Sequence, residues 1–116
     1  MAESPKMTTQ TLRLVSVLLS DPEAEWYGLK LAAEAGLKSG TVYLVLARLE
    51  QAGWLTSHWE DIDPSVEGRP RRRLYLMTAD GIRGAQQGIE EHAAALGLRP
   101  QSGARSRPAP RGASAT

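Results

Sequence analysis

Residues Leu37–Trp54 read LKSGTVYLVLARLEQAGW. Val42, Val45, Leu46 and Leu49 fall at i, i+3, i+4 and i+7, which makes one continuous apolar stripe on a helix. Ser39 is placed to cap the start through its hydroxyl, and Gly53 to close the end. The face opposite the stripe carries Gly40, Leu44, Ala47, Arg48 and Gln51, with Thr41 and Tyr43 on the flanks. Lys38, Ser39 and Thr41 gather hydrogen-bond donors at the N-terminal end. The free backbone N–H groups of a helix start add to them, so this end suits an anion. Small residues at Gly40 and Ala47 permit close approach to a groove floor, and Leu44 can touch a thymine methyl.

Upstream, Leu12, Val15, Leu18 and Leu19 give a helix from Thr8 that stops at SDPE, where Pro22 disfavours a helical Asp21. EWYGLKLAAEAG reads as a second, short helix with Leu29, Ala32, Ala33 and Leu37 inward and Gly36 at its end. Downstream, WLTSHWED and RLYLMT are strand candidates joined by the turn-rich IDPSVEGRPRR. Thr78 can cap a last helix whose stripe, Ile82, Ala85, Ile89 and Leu96, is narrow. Gly81, Gly84 and Gly88 each weaken that helix by roughly 1 kcal/mol relative to Ala, so it calls for a partner surface.

The expected fold is therefore mainly α with a small β-hairpin, in the order α-α-α-β-β-α. This is a winged helix-turn-helix whose third helix enters the major groove and whose hairpin is the wing. Residues 1–7 are expected as a flexible arm, 8–78 as the DNA-binding domain and 79–96 as a dimerisation helix. Residues 97–116, rich in Pro, Gly, Ser, Ala and Arg, are expected as a disordered basic tail.

Charge is sorted along the chain. Residues 1–96 carry a net charge of −3 and residues 97–116 a net of +4, although the whole is only +1. Four arginines crowd into five positions, Arg69, Arg71, Arg72 and Arg73. In a wing beside a recognition helix they would neutralise phosphates. Asp61, Asp63 and Glu67 lie in the same loop and can restrain them.

Other classes find little support. The chain has no Cys, which excludes disulfides, thiolate catalysis and Cys-based zinc sites. His58 and His92 lack ligand spacing, so no metal or other cofactor is expected. There is no nucleophile-and-base signature and no phosphate-binding glycine loop, so no enzyme activity is expected. The longest apolar run, LVSVLL at Leu14–Leu19, is too short for a bilayer, and MAESPKMTTQ lacks a signal-peptide pattern; a cytoplasmic protein without membrane contact is expected. Trp26, Trp54 and Trp59 are candidates for ligand contact, although a Trp in a small domain is more often core or half-exposed packing. The alternative to operator binding is a winged-helix adaptor for protein or RNA.

Three motifs together resemble the PadR family of bacterial transcriptional regulators over about Trp26–Gly81. WYGLKL is similar to the family's start of helix two. SGTVYLVLARLEQAGWL is similar to its recognition helix, with Thr41, Val42, Tyr43, Arg48, Leu49, Glu50 and Gly53 in register. GRPRRRLYLMTADG is similar to its wing. Leu44 departs from the Pro often found there, and Leu74 from an aromatic. The short segment after Thr78 resembles the small subfamily with one C-terminal helix. The resemblance implies a homodimeric repressor on double-stranded DNA at a palindromic operator. It implies DNA contact by Thr41 and Tyr43 and by the wing arginines, Arg69, Arg71, Arg72 and Arg73; the exposed face and N-terminal donors of the helix add Lys38, Ser39, Leu44 and Arg48 to the expected contacts. It also implies a dimer interface of Leu12, Val15, Leu19, Ile82, Ile89 and Leu96, and a small aromatic molecule as a candidate effector.

Overall fold

The computed structural model describes residues 4–93. The elements run α1 (Thr9–Ser20), β1 (Trp26–Tyr27), α2 (Gly28–Ala35), α3 (Ser39–Gln51), β2 (Leu55–Trp59), α4 (Pro64–Glu67), β3 (Arg73–Met77) and α5 (Ala79–Glu91). This is the winged-helix arrangement, with two additions to the expected order. β1 pairs antiparallel with β3 through Trp26↔Tyr75 and Tyr27↔Leu74, so the sheet has three strands in the order β1-β3-β2. Two residues are too few to show strand alternation, and the pairing is dictated by β3's second edge. α4 is a single turn inside the wing loop, begun by Asp63, whose Oδ1 accepts from the Ser65 N–H at 2.9 Å.

Local chemistry explains most boundaries. Thr8 caps α1, its side chain accepting from the Thr11 N–H, and Asp21 leaves helical geometry just before Pro22. α3 does not start as expected. Lys38 is the capping residue by backbone alone, its carbonyl accepting from the Val42 N–H at 3.0 Å. Ser39 is already inside the first turn, one residue too late to cap. The end of α3 is a Schellman motif: Trp54 N–H reaches the Leu49 carbonyl at 2.9 Å and Gly53 N–H the Glu50 carbonyl at 3.0 Å, with Gly53 at φ 80°.

The core is the stripe of α3 (Val42, Val45, Leu46 and Leu49) closed over Leu14, Val15, Leu18, Leu31, Leu55 and Met77. Each Leu or Val there contributes roughly 1.5–3 kcal/mol by burial, against about 1 kcal/mol for a helix cap, so packing decides the fold and the caps set its boundaries. Of the positions expected inward on the second helix, Ala32 is buried and Leu37 half-buried against the core, whereas Ala33 is exposed and Leu29 63% exposed; Leu31 is buried in their place. The helix begins at Gly28 and not at Glu25, because Trp26 and Tyr27 are held in the sheet.

The glycines of α5 also have another meaning. A Cβ at Gly81 would stand 2.1 Å from the Trp54 carbonyl oxygen, and one at Gly84 2.3 Å from the Trp54 indole. α5 thus lies directly on Trp54, which is 8% exposed. Thr78 secures the junction. It accepts from Gly81 N–H at 2.9 Å, donates its hydroxyl to the Gly53 carbonyl at 2.7 Å and its N–H to the Trp54 carbonyl at 3.0 Å. Met7 packs over Gly88, so the packed chain begins at least one residue before Thr8.

Gly81→Ala must force backbone from backbone and should lower the unfolding free energy by roughly 1–3 kcal/mol. Gly88→Ala meets only the terminal methyl of Met7, which can swing aside, and gains about 1 kcal/mol of helix propensity. Its net effect should lie near zero. Urea denaturation of the two variants tests the contrast; equal effects would mean that Trp54 does not set the position of α5.

Candidate nucleic-acid interface

On α3 the core stripe leaves Lys38, Ser39, Gly40, Tyr43, Leu44, Ala47 and Arg48 exposed, with Thr41 half-buried. Tyr43 and Leu44 are 45% and 53% exposed. Tyr43 is not a free arm. Its ring lies over Gly28, where a Cβ would stand 2.5 Å from the ring carbons and 2.7 Å from the hydroxyl oxygen. The glycine that opens α2 is the seat of the recognition-helix tyrosine.

The wing arginines have distinct surroundings. Arg69 is committed within the chain: its Nη1 and Nη2 donate to the two Glu60 carboxylate oxygens at 2.7 and 2.9 Å. Arg71 donates from Nε to the Ile62 carbonyl at 3.0 Å and is exposed. The Arg72 guanidinium stacks 4.2 Å from the Tyr27 ring centre, and that of Arg73 lies 5.1 Å from the Trp59 ring centre. Stacking holds a guanidinium while leaving donors at its edge. Arg73 Nε also donates to the Ser57 hydroxyl at 3.1 Å, which donates to Glu50 Oε2 at 2.7 Å. A relay therefore runs from the wing to the recognition helix. Among the described residues no carboxylate lies within ion-pair distance of Arg71, Arg72 or Arg73.

Tyr43 and the stacked arginines share one cleft of about 430 Å³, walled by Tyr27, Leu29, Tyr43 and Trp59. The structure thus joins the recognition helix and the wing on one surface, rich in cations and aromatic faces. The carboxylate that holds Arg69 is Glu60, and not Asp61, Asp63 or Glu67 of the loop. The only signal for it in the sequence is its place at the end of a strand, opposite the arginine run.

Of the residues expected at a dimer interface, Leu12 and Val15 are 1% and 0% exposed within the single chain, which places them in its own core and not on an outward seam. Leu19, Ile82 and Ile89 are half-buried against that core, with α1 packed on α5. Leu96 and the basic tail lie outside the described residues. Among the described residues no group of three or more His, Asp or Glu could hold a metal ion, and no helix is long and apolar enough to cross a membrane.

Three helices, a basic sheet-built wing and an exposed recognition-helix face define a winged-helix protein of the DNA-binding regulator class. The family described as "Transcriptional regulator PadR-like family" matches residues 19–87. The chain belongs to the PadR-like family of transcriptional regulators, which act through DNA. No curated protein matches it. Among solved structures it is similar to a PadR family transcription regulator from Clostridium difficile R20291, with 24% identity, a TM-score of 0.61 and coverage of 78% of this chain and 93% of that one. A PadR family regulator from Eggerthella lenta DSM 2243 is 27% identical, with a TM-score of 0.55 and coverage of 76% and 78%. NadR, solved in complex with 4-hydroxyphenylacetate, is 22% identical, with a TM-score of 0.57 and coverage of 78% and 60%.

The Glu60–Arg69 pair gives the wing a pH signature. The hydrogen bond from Arg69 lowers the Glu60 carboxyl from 4.5 to about 2, against an opposing effect of desolvation. A carboxyl whose pKa falls on folding stabilises the folded state fully above its unfolded value and loses that contribution as pH drops through the folded one. The stability difference between the wild type and Glu60→Gln should therefore be constant above about pH 4.5 and shrink towards pH 2. Urea denaturation at stepped pH measures it; a difference that does not change across this window would deny the pair any part in stability.

Proposed function

We propose that the protein is a transcriptional repressor that binds a palindromic operator as a homodimer. In this reading Lys38, Ser39, Thr41, Tyr43, Leu44 and Arg48 face the major groove, and Arg71, Arg72 and Arg73 lie on the flanking backbone. The single observation that carries it is the shared cleft. It brings Tyr43 of the recognition helix beside three arginines that carry no carboxylate partner, Arg72 and Arg73 stacked on rings and Arg71 held by the Ile62 carbonyl. Phosphate contacts of that kind fix register on the duplex, while base-edge contacts from α3 carry sequence. Arg69 takes a different part, since its fork is filled by Glu60. The dimer would form through the outer side of α5 with Leu19, Ile82 and Ile89, which retain partial exposure. A small aromatic acid is the effector class to screen, because NadR of the same fold is solved with one. The site of action is the cytoplasm, where the DNA is.

Selection from random duplexes, with sizing of the bound complex, tests the reading. A palindromic consensus with half-sites about 10 bp or a multiple apart, bound by two chains, is the expected result. Recovery of no consensus, with only salt-sensitive binding, would favour the adaptor alternative. Arg72→Ala should weaken all duplexes alike and reduce the log–log salt slope by about one per protomer. An unchanged slope would remove Arg72 from the phosphate contacts. Ile89→Asp should give monomers with intact helix content in sedimentation and circular dichroism. A surviving dimer would put the interface elsewhere.

A further inference from the structure

The most basic loop of the chain is anchored by a carboxylate that DNA binding does not require and simple electrostatics would disfavour. Glu60 follows β2 directly. Its Oε1 accepts from Arg69 Nη1 at 2.7 Å and from the backbone N–H of Arg72 at 3.2 Å. Its Oε2 accepts from Arg69 Nη2 at 2.9 Å, and its own N–H donates to the Arg72 carbonyl at 2.8 Å. One residue thus extends the hairpin a step past the last paired positions, Trp59 and Arg73. It does so where the loop would otherwise begin. The pair is shielded, with side chains 18% and 31% exposed for Glu60 and Arg69. A bidentate fork to a carboxylate fixes orientation as well as charge.

Two accounts of Glu60 make opposite predictions. If only charge matters, the carboxylate cancels one of four wing cations and its removal should tighten every DNA complex. If geometry matters, Glu60 sets the backbone at Arg72. From there the Arg72 side chain reaches Tyr27 and the adjacent Arg73 reaches Trp59. Losing that anchor would free both guanidinium groups to sample many positions, and their ordering would then oppose binding. The geometry favours the second account, because Glu60 holds backbone as well as side chain.

We propose that Glu60 is a positioning residue for DNA recognition, and that Arg69 is its counter-ion and makes no phosphate contact. This rests on the reading that the wing lies on DNA. The test uses the full chain, a duplex selected by the wild type, and an unrelated duplex of equal length. Glu60→Gln should lose about tenfold in affinity for the selected duplex and for the unrelated one alike, although its net charge rises by one, because the arginines it orders lie on phosphates. Arg69→Gln should lose a similar amount for the selected duplex with an unchanged salt slope. The double variant should lose no more than either single one, because the two act as a unit. Circular dichroism should match the wild type throughout, since the pair lies outside the core. Tighter binding of both duplexes by Glu60→Gln, or a salt slope lowered by about one in Arg69→Gln, would overturn the proposal. Arg72→Ala separates the two layers of inference. Wild-type affinity in Arg72→Ala would remove the wing–DNA reading itself. Weakened binding in Arg72→Ala beside unchanged binding in Glu60→Gln would remove only the role of Glu60.

Discussion

The fold depends on how closely α5 lies on Trp54. This residue follows the Schellman turn that ends α3 and precedes β2, so it is the point where helix and sheet meet. Its carbonyl accepts from Thr78, its backbone lies against Gly81 and its indole against Gly84. No residue with a side chain fits at Gly81 without moving main chain. Three elements are thereby registered by one side chain and one carbonyl, and the recognition helix, the wing and the last helix inherit their relative positions from it. The helix propensity that these glycines forfeit is offset by a contact that any Cβ would block.

The wing is built by other means. Its inner end is fixed by burial, with Leu55 paired to Met77 and both in the core. Its outer end buries nothing in α4 and is held by the Glu60 fork, the Ile62 carbonyl and the stacked rings. Charge is therefore not simply piled up in this loop. One arginine is neutralised to hold the backbone, and three others are oriented by contacts that leave their charge in place. The Glu50–Ser57–Arg73 relay extends this order to the recognition helix.

Much of this was legible in the sequence. The stripe of Val42, Val45, Leu46 and Leu49 is buried as its period implied, and the Thr78 cap and the turns at Gly36 and Gly53 take the expected form. What escaped was non-local. β1 is two residues whose strand character exists only because β3 offers an edge. The inward face of α2 keeps Ala32 but takes Leu31 in place of Leu29 and Ala33. Ser39 missed the cap by a single position. Gly81 and Gly84 looked like weaknesses because propensity is local and the approach of Trp54 is not. At the candidate site, the exposed face of α3 could be read from spacing, whereas Glu60 as the partner of Arg69 required the hairpin to be closed. Leu12 and Val15 showed the same limit, since an apolar stripe does not say whether it meets the chain's own core or a second copy.

The contrast between the two ends of the wing has a mechanical consequence. A β-ribbon fixed at its root by packed hydrocarbon and at its tip by exchangeable polar contacts yields more readily at the tip, because polar contacts at a surface can be traded for water and buried hydrocarbon cannot. The grooves of DNA vary in width and stiffness with sequence. On the proposed reading, a tip held by polar contacts would follow such variation while the hydrocarbon-packed root keeps the exposed face of α3 in place, so shape and sequence would be sensed by different parts of one small domain.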